Sequence, residues 1–86
     1  MQVTFYSSAF CGACAQTRAV LGEAVRLVPA AIVEELDVVG NEARAEADDI
    51  RGTPTLIVSR DDGSVVFRAE GVPTAPQVLQ ALALAL

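Results

Sequence analysis

The chain has 86 residues, 52% of them hydrophobic and 20% charged, and a formal net charge of −5. That length holds one small core, so a single domain over residues 1–86 is expected, and the apolar content excludes a disordered chain. Its six cations are arginines at 18, 26, 44, 51, 60 and 68 with no basic cluster, which speaks against nucleic acid, and the absence of His and Lys removes Cys-His activation, His-containing metal sites and Schiff-base chemistry.

Gln2–Ser7 predicts a first strand, with β-branched and aromatic weight in Val3, Thr4, Phe5 and Tyr6. Ser8, Ala9 and Phe10 form a short connection. A helix is predicted from Cys11 or Gly12 to Pro29, burying Cys14, Thr17, Leu21, Ala24, Val25 and Val28 at helical spacing. Ala31–Val38 predicts a second strand. Asn41 then caps a short helix, about 42–49, with Ala43, Ala47 and Ile50 inward. Pro54–Ser59 is a third strand, Asp61, Asp62 and Gly63 a hairpin turn, and Ser64–Ala69 a fourth strand. Thr74 caps a last helix with Pro76 in its first turn and Val78, Leu79, Leu82 and Leu86 as its buried stripe. The order β-α-β-α-β-β-α predicts an α/β fold. One four-stranded mixed sheet carries three helices on both faces, and strands separated by helices pair in parallel.

The chemistry concentrates at Cys11-Gly12-Ala13-Cys14. A Cys-x-x-Cys at a strand-to-helix junction puts Cys11 where unpaired N–H groups and the positive dipole end favour a thiolate. Cys14 lies one turn further in, on the apolar face, and is shielded. That asymmetry predicts that Cys11 attacks a substrate disulfide and that Cys14 resolves the mixed disulfide. One cysteine pair without histidine falls short of the four ligands of a structural zinc site, so no metal is expected. No other cofactor is implied. The segment Arg51-Gly52-Thr53-Pro54-Thr55 opens the third strand with a proline. A cis Thr53–Pro54 bond would free the Thr53 N–H and C=O for an extended substrate backbone, but only ~5–6% of such bonds are cis.

Three pieces occur in order along nearly the whole chain: Phe5 to Cys14, Ile50 to Leu56 (Ile-Arg-Gly-Thr-Pro-Thr-Leu), and Gly71 before the last helix. In these the chain resembles the thioredoxin superfamily. The resemblance implies a thioredoxin fold, a cis Pro54, a nucleophilic Cys11 and a resolving Cys14. It also implies a substrate groove at Thr53, Pro54 and Gly71, with Phe10, Gly12, Ala13 and Val72 around it. Ala9 and Pro73 are further candidates for an apolar rim. Phe10 stands where the family usually has Trp, and Gly12-Ala13 where it usually has Gly-Pro. The family's buried acid and its lysine partner correspond to Phe5 and Glu35. Glu35 is therefore a candidate proton acceptor for Cys14, set against an ordinary exposed strand carboxylate.

The expected activity is a dithiol reductase of protein disulfides, with a part in electron transport and cell redox homeostasis. The expected partners are disulfide-containing proteins and a flavin-dependent thioredoxin reductase. Alternatives are a glutathione-linked glutaredoxin-like protein, a redoxin serving ribonucleotide reductase, and a non-catalytic adaptor that binds through the Thr53-Pro54 groove. The N-terminus shows no basic region or long apolar run, and Leu79–Leu86 falls short of the ~20 residues that span a bilayer. A cytoplasmic monomer without membrane association is the expectation.

Overall fold

A computed structural model describes residues 1–86. The elements are β1 (Gln2–Ser7), α1 (Gly12–Val25), β2 (Ile32–Asp37), α2 (Glu42–Ala47), β3 (Thr55–Ser59), β4 (Val65–Glu70) and α3 (Ala75–Ala85). The strands form one mixed sheet in the order β2-β1-β3-β4. β1 pairs with β2 in parallel, with Phe5 opposite Glu35, and with β3 antiparallel, with Tyr6 opposite Thr55. β3 and β4 form the expected hairpin, with Gly63 at φ +90 in its turn, a conformation that favours glycine.

One sequence expectation on topology is corrected. β3 follows a helix yet runs antiparallel to β1. Helix length supplies the reason. At about 1.5 Å per residue, α1 returns the chain along a strand of roughly 20 Å, whereas the six residues of α2 span only about 9 Å. The chain therefore starts β3 from the end at which β2 finished.

Alternation along the strands sends Val3, Phe5, Leu56 and Val58 to one face, where they meet Cys14, Leu21 and Ala24 of α1 and Val78, Ala81 and Leu82 of α3. The other face carries a smaller cluster, Tyr6, Leu36 and Ile57, against which Ala45 and Ile50 pack. Helices thus cover both faces, α1 and α3 on one and α2 on the other. α2 buries no residue of its own and is held by polar contacts. The Tyr6 hydroxyl donates to the Asp48 carboxylate and lies 3.2 Å from the Arg44 carbonyl. Arg68 of β4 donates to the carbonyls of Asp48 and Asp49 at 2.6 and 2.7 Å.

Several expected details change. Ala43 and Ala47 are exposed, and Ala45 is the α2 residue that turns inward. Asn41 precedes α2 without capping it, because its side chain donates instead to the Asp37 carbonyl at 2.9 Å. α1 ends at Val25, before Pro29, in a turn through Arg26 and Leu27. Leu86 lies past the end of α3 and is exposed, and Ala81 and Ala85 complete the buried stripe with Val78 and Leu82. Thr74 caps α3 as expected, in a reciprocal box with Gln77. No helix is long and apolar enough to cross a membrane.

Candidate active site

β1 delivers the chain to the top of the sheet, and the turn into α1 sets the two sulfurs at different depths. Phe10 takes φ +56, in the left-handed region, and its side chain is fully exposed. Cys11 follows in an extended conformation as the N-cap of α1, and its Sγ accepts the Cys14 N–H at 3.0 Å. The first turn of α1 carries no acidic side chain to oppose a negative charge there. Cys11 is half-buried and Cys14 is 1% exposed. The two are joined as a disulfide with Cα atoms 5.1 Å apart. Gly12 between them is exposed, and a side-chain carbon there would meet nothing within 4 Å.

The second part of the site comes from the loop before β3. The Thr53–Pro54 bond is cis, and Pro54 is buried. The ladder of β3 begins at Thr55, so the Thr53 N–H and C=O lie outside it. The Pro54 carbonyl accepts the Gly71 N–H at 2.9 Å, which draws the end of β4 to the same rim. Gly71 sits at φ +92, and Val72 beside it is 42% exposed. Pro73 does not join the rim, because it packs inside ahead of α3. Ala9, Phe10, Ala13 and Val72 keep exposed or half-exposed positions.

Sequence reasoning missed Ser8. Its hydroxyl lies 2.6 Å from Thr53 Oγ1, which lies 4.0 Å from Cys11 Sγ. The two hydroxyls line an open cleft of about 340 Å³ whose apolar wall is Val38, Ala45 and Ile50. A hydroxyl residue three places before the first cysteine was the available signal, and only the fold puts it opposite Thr53.

Glu35 has other partners than the proton-acceptor expectation gave it. Arg18 grips both of its oxygens, with Nε at 2.8 Å from one and Nη2 at 2.7 Å from the other, and the Ser7 hydroxyl donates to it at 2.9 Å. The Arg18 hydrogen bond holds this carboxyl below the usual carboxylate range and outweighs its partial burial. A carboxylate so stabilised is a weaker base. Phe5, at the position of the family's buried acid, is 1% exposed, and the Arg18 guanidinium lies 5.8 Å from its ring centroid. Arg18 itself lies one turn beyond Cys14 on α1.

Residues 1–83 match the family model Thioredoxin. The chain belongs to the thioredoxin family. Among solved structures, this thioredoxin domain is similar to a mutant thioredoxin from Halobacterium salinarum, with 25% identity and a TM-score of 0.85, covering 98% of this chain and 73% of that one. It is also similar to mitochondrial thioredoxin 3 from Saccharomyces cerevisiae in its oxidised form, with 17% identity, a TM-score of 0.83, and 95% and 76% of the two chains covered. A third similarity is to thioredoxin-2, a component of malaria parasite protein secretion machinery, with 14% identity, a TM-score of 0.87, and 96% and 81% covered. The last two likenesses speak of the fold. No curated protein sequence matches the chain. The thioredoxin fold, its four-stranded mixed sheet and the paired Cys11 and Cys14 agree with the sequence expectation.

Proposed function

We propose that the protein is a thiol–disulfide oxidoreductase that reduces disulfides in other proteins. The observation that carries this reading is the unequal burial of the two bonded sulfurs, with half-buried Cys11 capping α1 and Cys14 enclosed. In the reduced protein the Cys11 thiolate attacks one sulfur of a substrate disulfide. The substrate S–S bond breaks, a mixed disulfide forms, and the departing substrate thiolate takes a proton. Cys14, deprotonated, attacks Cys11 Sγ. The Cys11–Cys14 disulfide forms and the second substrate thiol leaves, so two electrons and two protons have passed to the substrate.

The groove supports the same reading. An extended substrate backbone pairs with the Thr53 N–H and C=O beside cis Pro54, in the manner of an added strand. Phe10, Gly12, Ala13, Gly71 and Val72 offer it a small, apolar and unobstructed rim. A thioredoxin reductase or glutathione restores the dithiol, and the absence of a Lys or Arg adjoining the Cys11–Cys14 segment to meet a glutathione carboxylate favours the reductase.

Insulin disulfide reduction, with either NADPH and a thioredoxin reductase or glutathione as reductant, tests the proposal and separates the two. Cys11→Ser is expected to abolish turnover, and Cys14→Ser to accumulate the mixed disulfide on Cys11. Full activity in Cys11→Ser would overturn the roles. Inactivity with both reductants would leave the fold as a binding adaptor.

A further inference from the structure

We propose that Ser8 and Thr53 form a two-hydroxyl donor chain aimed at Cys11 Sγ, which holds the attacking thiolate of the reduced protein. Thr53 acts on the sulfur directly, and Ser8 is a positioning residue that acts through Thr53. The proposal deepens the dithiol reading, on which it rests.

The proton order follows from the atoms. A disulfide sulfur carries no hydrogen, so in the Thr53–Cys11 contact the Thr53 hydroxyl is the donor. Either hydroxyl can donate across the 2.6 Å Ser8–Thr53 contact; a thiolate on Cys11 draws the Thr53 proton to the sulfur and leaves Ser8 as the donor to Thr53 Oγ1. The chain runs Ser8 O–H to Thr53 O–H to Cys11 Sγ. Ser8 fixes the direction of the Thr53 rotor, which would otherwise turn freely. At 4.0 Å from a neutral disulfide sulfur the contact is weak. A thiolate carries a full charge, and hydrogen bonds to charged acceptors are shorter and about twice as strong. The chain therefore stabilises the reduced state more than the oxidised one, together with the Cys14 N–H at 3.0 Å.

The charged groups of the surrounding elements are engaged elsewhere. Arg18 of α1 joins Glu35 of β2, Asp37 at the end of β2 accepts the Val39 N–H, and Arg51 pairs with Asp49 ahead of β3. Arg68 of β4 pairs with Glu70. With no His or Lys in the chain, the donors at hand for this sulfur are backbone N–H groups and the Thr53 hydroxyl that Ser8 orients.

The test is the pH dependence of Cys11 alkylation by iodoacetamide in the reduced full chain, read alongside the dithiol's reduction potential. Thr53→Val keeps the shape and removes the donor. Its titration is expected to move up by about one pH unit, a tenfold loss of thiolate preference, the scale of one hydrogen bond to a charged group. At a pH where Cys11 is ionised in both proteins, the potential falls by about 30 mV, the equivalent of tenfold for a two-electron couple. Thr53→Ser is expected to retain the wild-type titration. Ser8→Ala gives a smaller upward shift, and Ser8→Ala added to Thr53→Val gives none. Coincident titrations of Thr53→Val and wild type would overturn the proposal. A Ser8→Ala shift that persists in the Thr53→Val background would overturn the relay. Both readouts are independent of protein substrates, so a failure of the reductase reading would show separately, as loss of insulin reduction with these titrations unchanged.

Discussion

Phe10 combines a left-handed backbone, φ +56, with a fully exposed ring. A bulky residue held there stores about 1–2 kcal/mol of backbone strain, and an exposed ring returns no burial energy. Glycine at this position is expected to stabilise the fold by up to about 1 kcal/mol, which for a domain of this size is about 4–8 °C in Tm. The same Phe10→Gly change is expected to raise KM for insulin, because the rim loses its largest apolar group. A calorimetric melt and a substrate titration check the two halves, and a lower Tm would remove the strain argument. Glu35 carries the second prediction at this scale. Because Arg18 stabilises its charged form, Glu35→Gln is expected to leave the pH profile of Cys14-dependent resolution unchanged, measured as decay of the mixed disulfide. A displaced profile would return Glu35 to the proton path. The folded-state pKa is lowered, so the pair's contribution to stability is present above the ordinary carboxylate range and fades as pH falls through the folded value. Unfolding curves of wild type and Glu35→Gln should therefore differ at neutral pH and converge in acid.

The three helices divide by what holds them. α1 and α3 bring apolar stripes to the larger core, and their periodicity was readable in the sequence at Cys14, Leu21, Val78 and Leu82. α3 also announces its start, since Thr74 and Gln77 form a capping box. Thr74→Ala is expected to cost about 1 kcal/mol, read as a lower urea midpoint at unchanged m-value. α2 was placed at about 42–49 by the sequence, close to its Glu42–Ala47 span, but its inward face was not legible because it has no stripe. Its position depends on Tyr6, Arg68 and Arg44 reaching it from other strands or pairing with them, and such contacts leave no spacing signal. For the same reason Ala43 and Ala47 looked as apolar as Ala45 but face solvent. The candidate site was legible in the opposite way. Cys11, Cys14, Thr53 and Pro54 are concentrated in two short segments with local signatures, whereas Ser8 and Arg18 acquire partners only through pairings 45 and 17 residues apart.

On the scale of the molecule, the sheet separates a large core from a small one, and the small one centres on Tyr6, fully buried opposite Leu36. Its phenol is pushed up to about 12, first by burial and then by its hydrogen bond to Asp48. In the unfolded chain it titrates near ~10. Between these values the unfolded chain has lost the proton that the folded chain keeps, so stability is fully present below the unfolded value and falls as pH rises through the window. Composition makes the window unusually clean. The chain has one tyrosine and no lysine, and the cysteines joined as a disulfide do not titrate. Tyr6 is therefore the side chain to which an alkaline loss of stability in this window is assigned. Tyr6→Phe is expected to lose some stability at neutral pH, through the missing bonds to Asp48 and the Arg44 carbonyl. It should also flatten the fall of the urea midpoint across that window. Equal slopes in the two proteins would mean that Tyr6 ionises as easily folded as unfolded, and that α2 does not keep water from the second core.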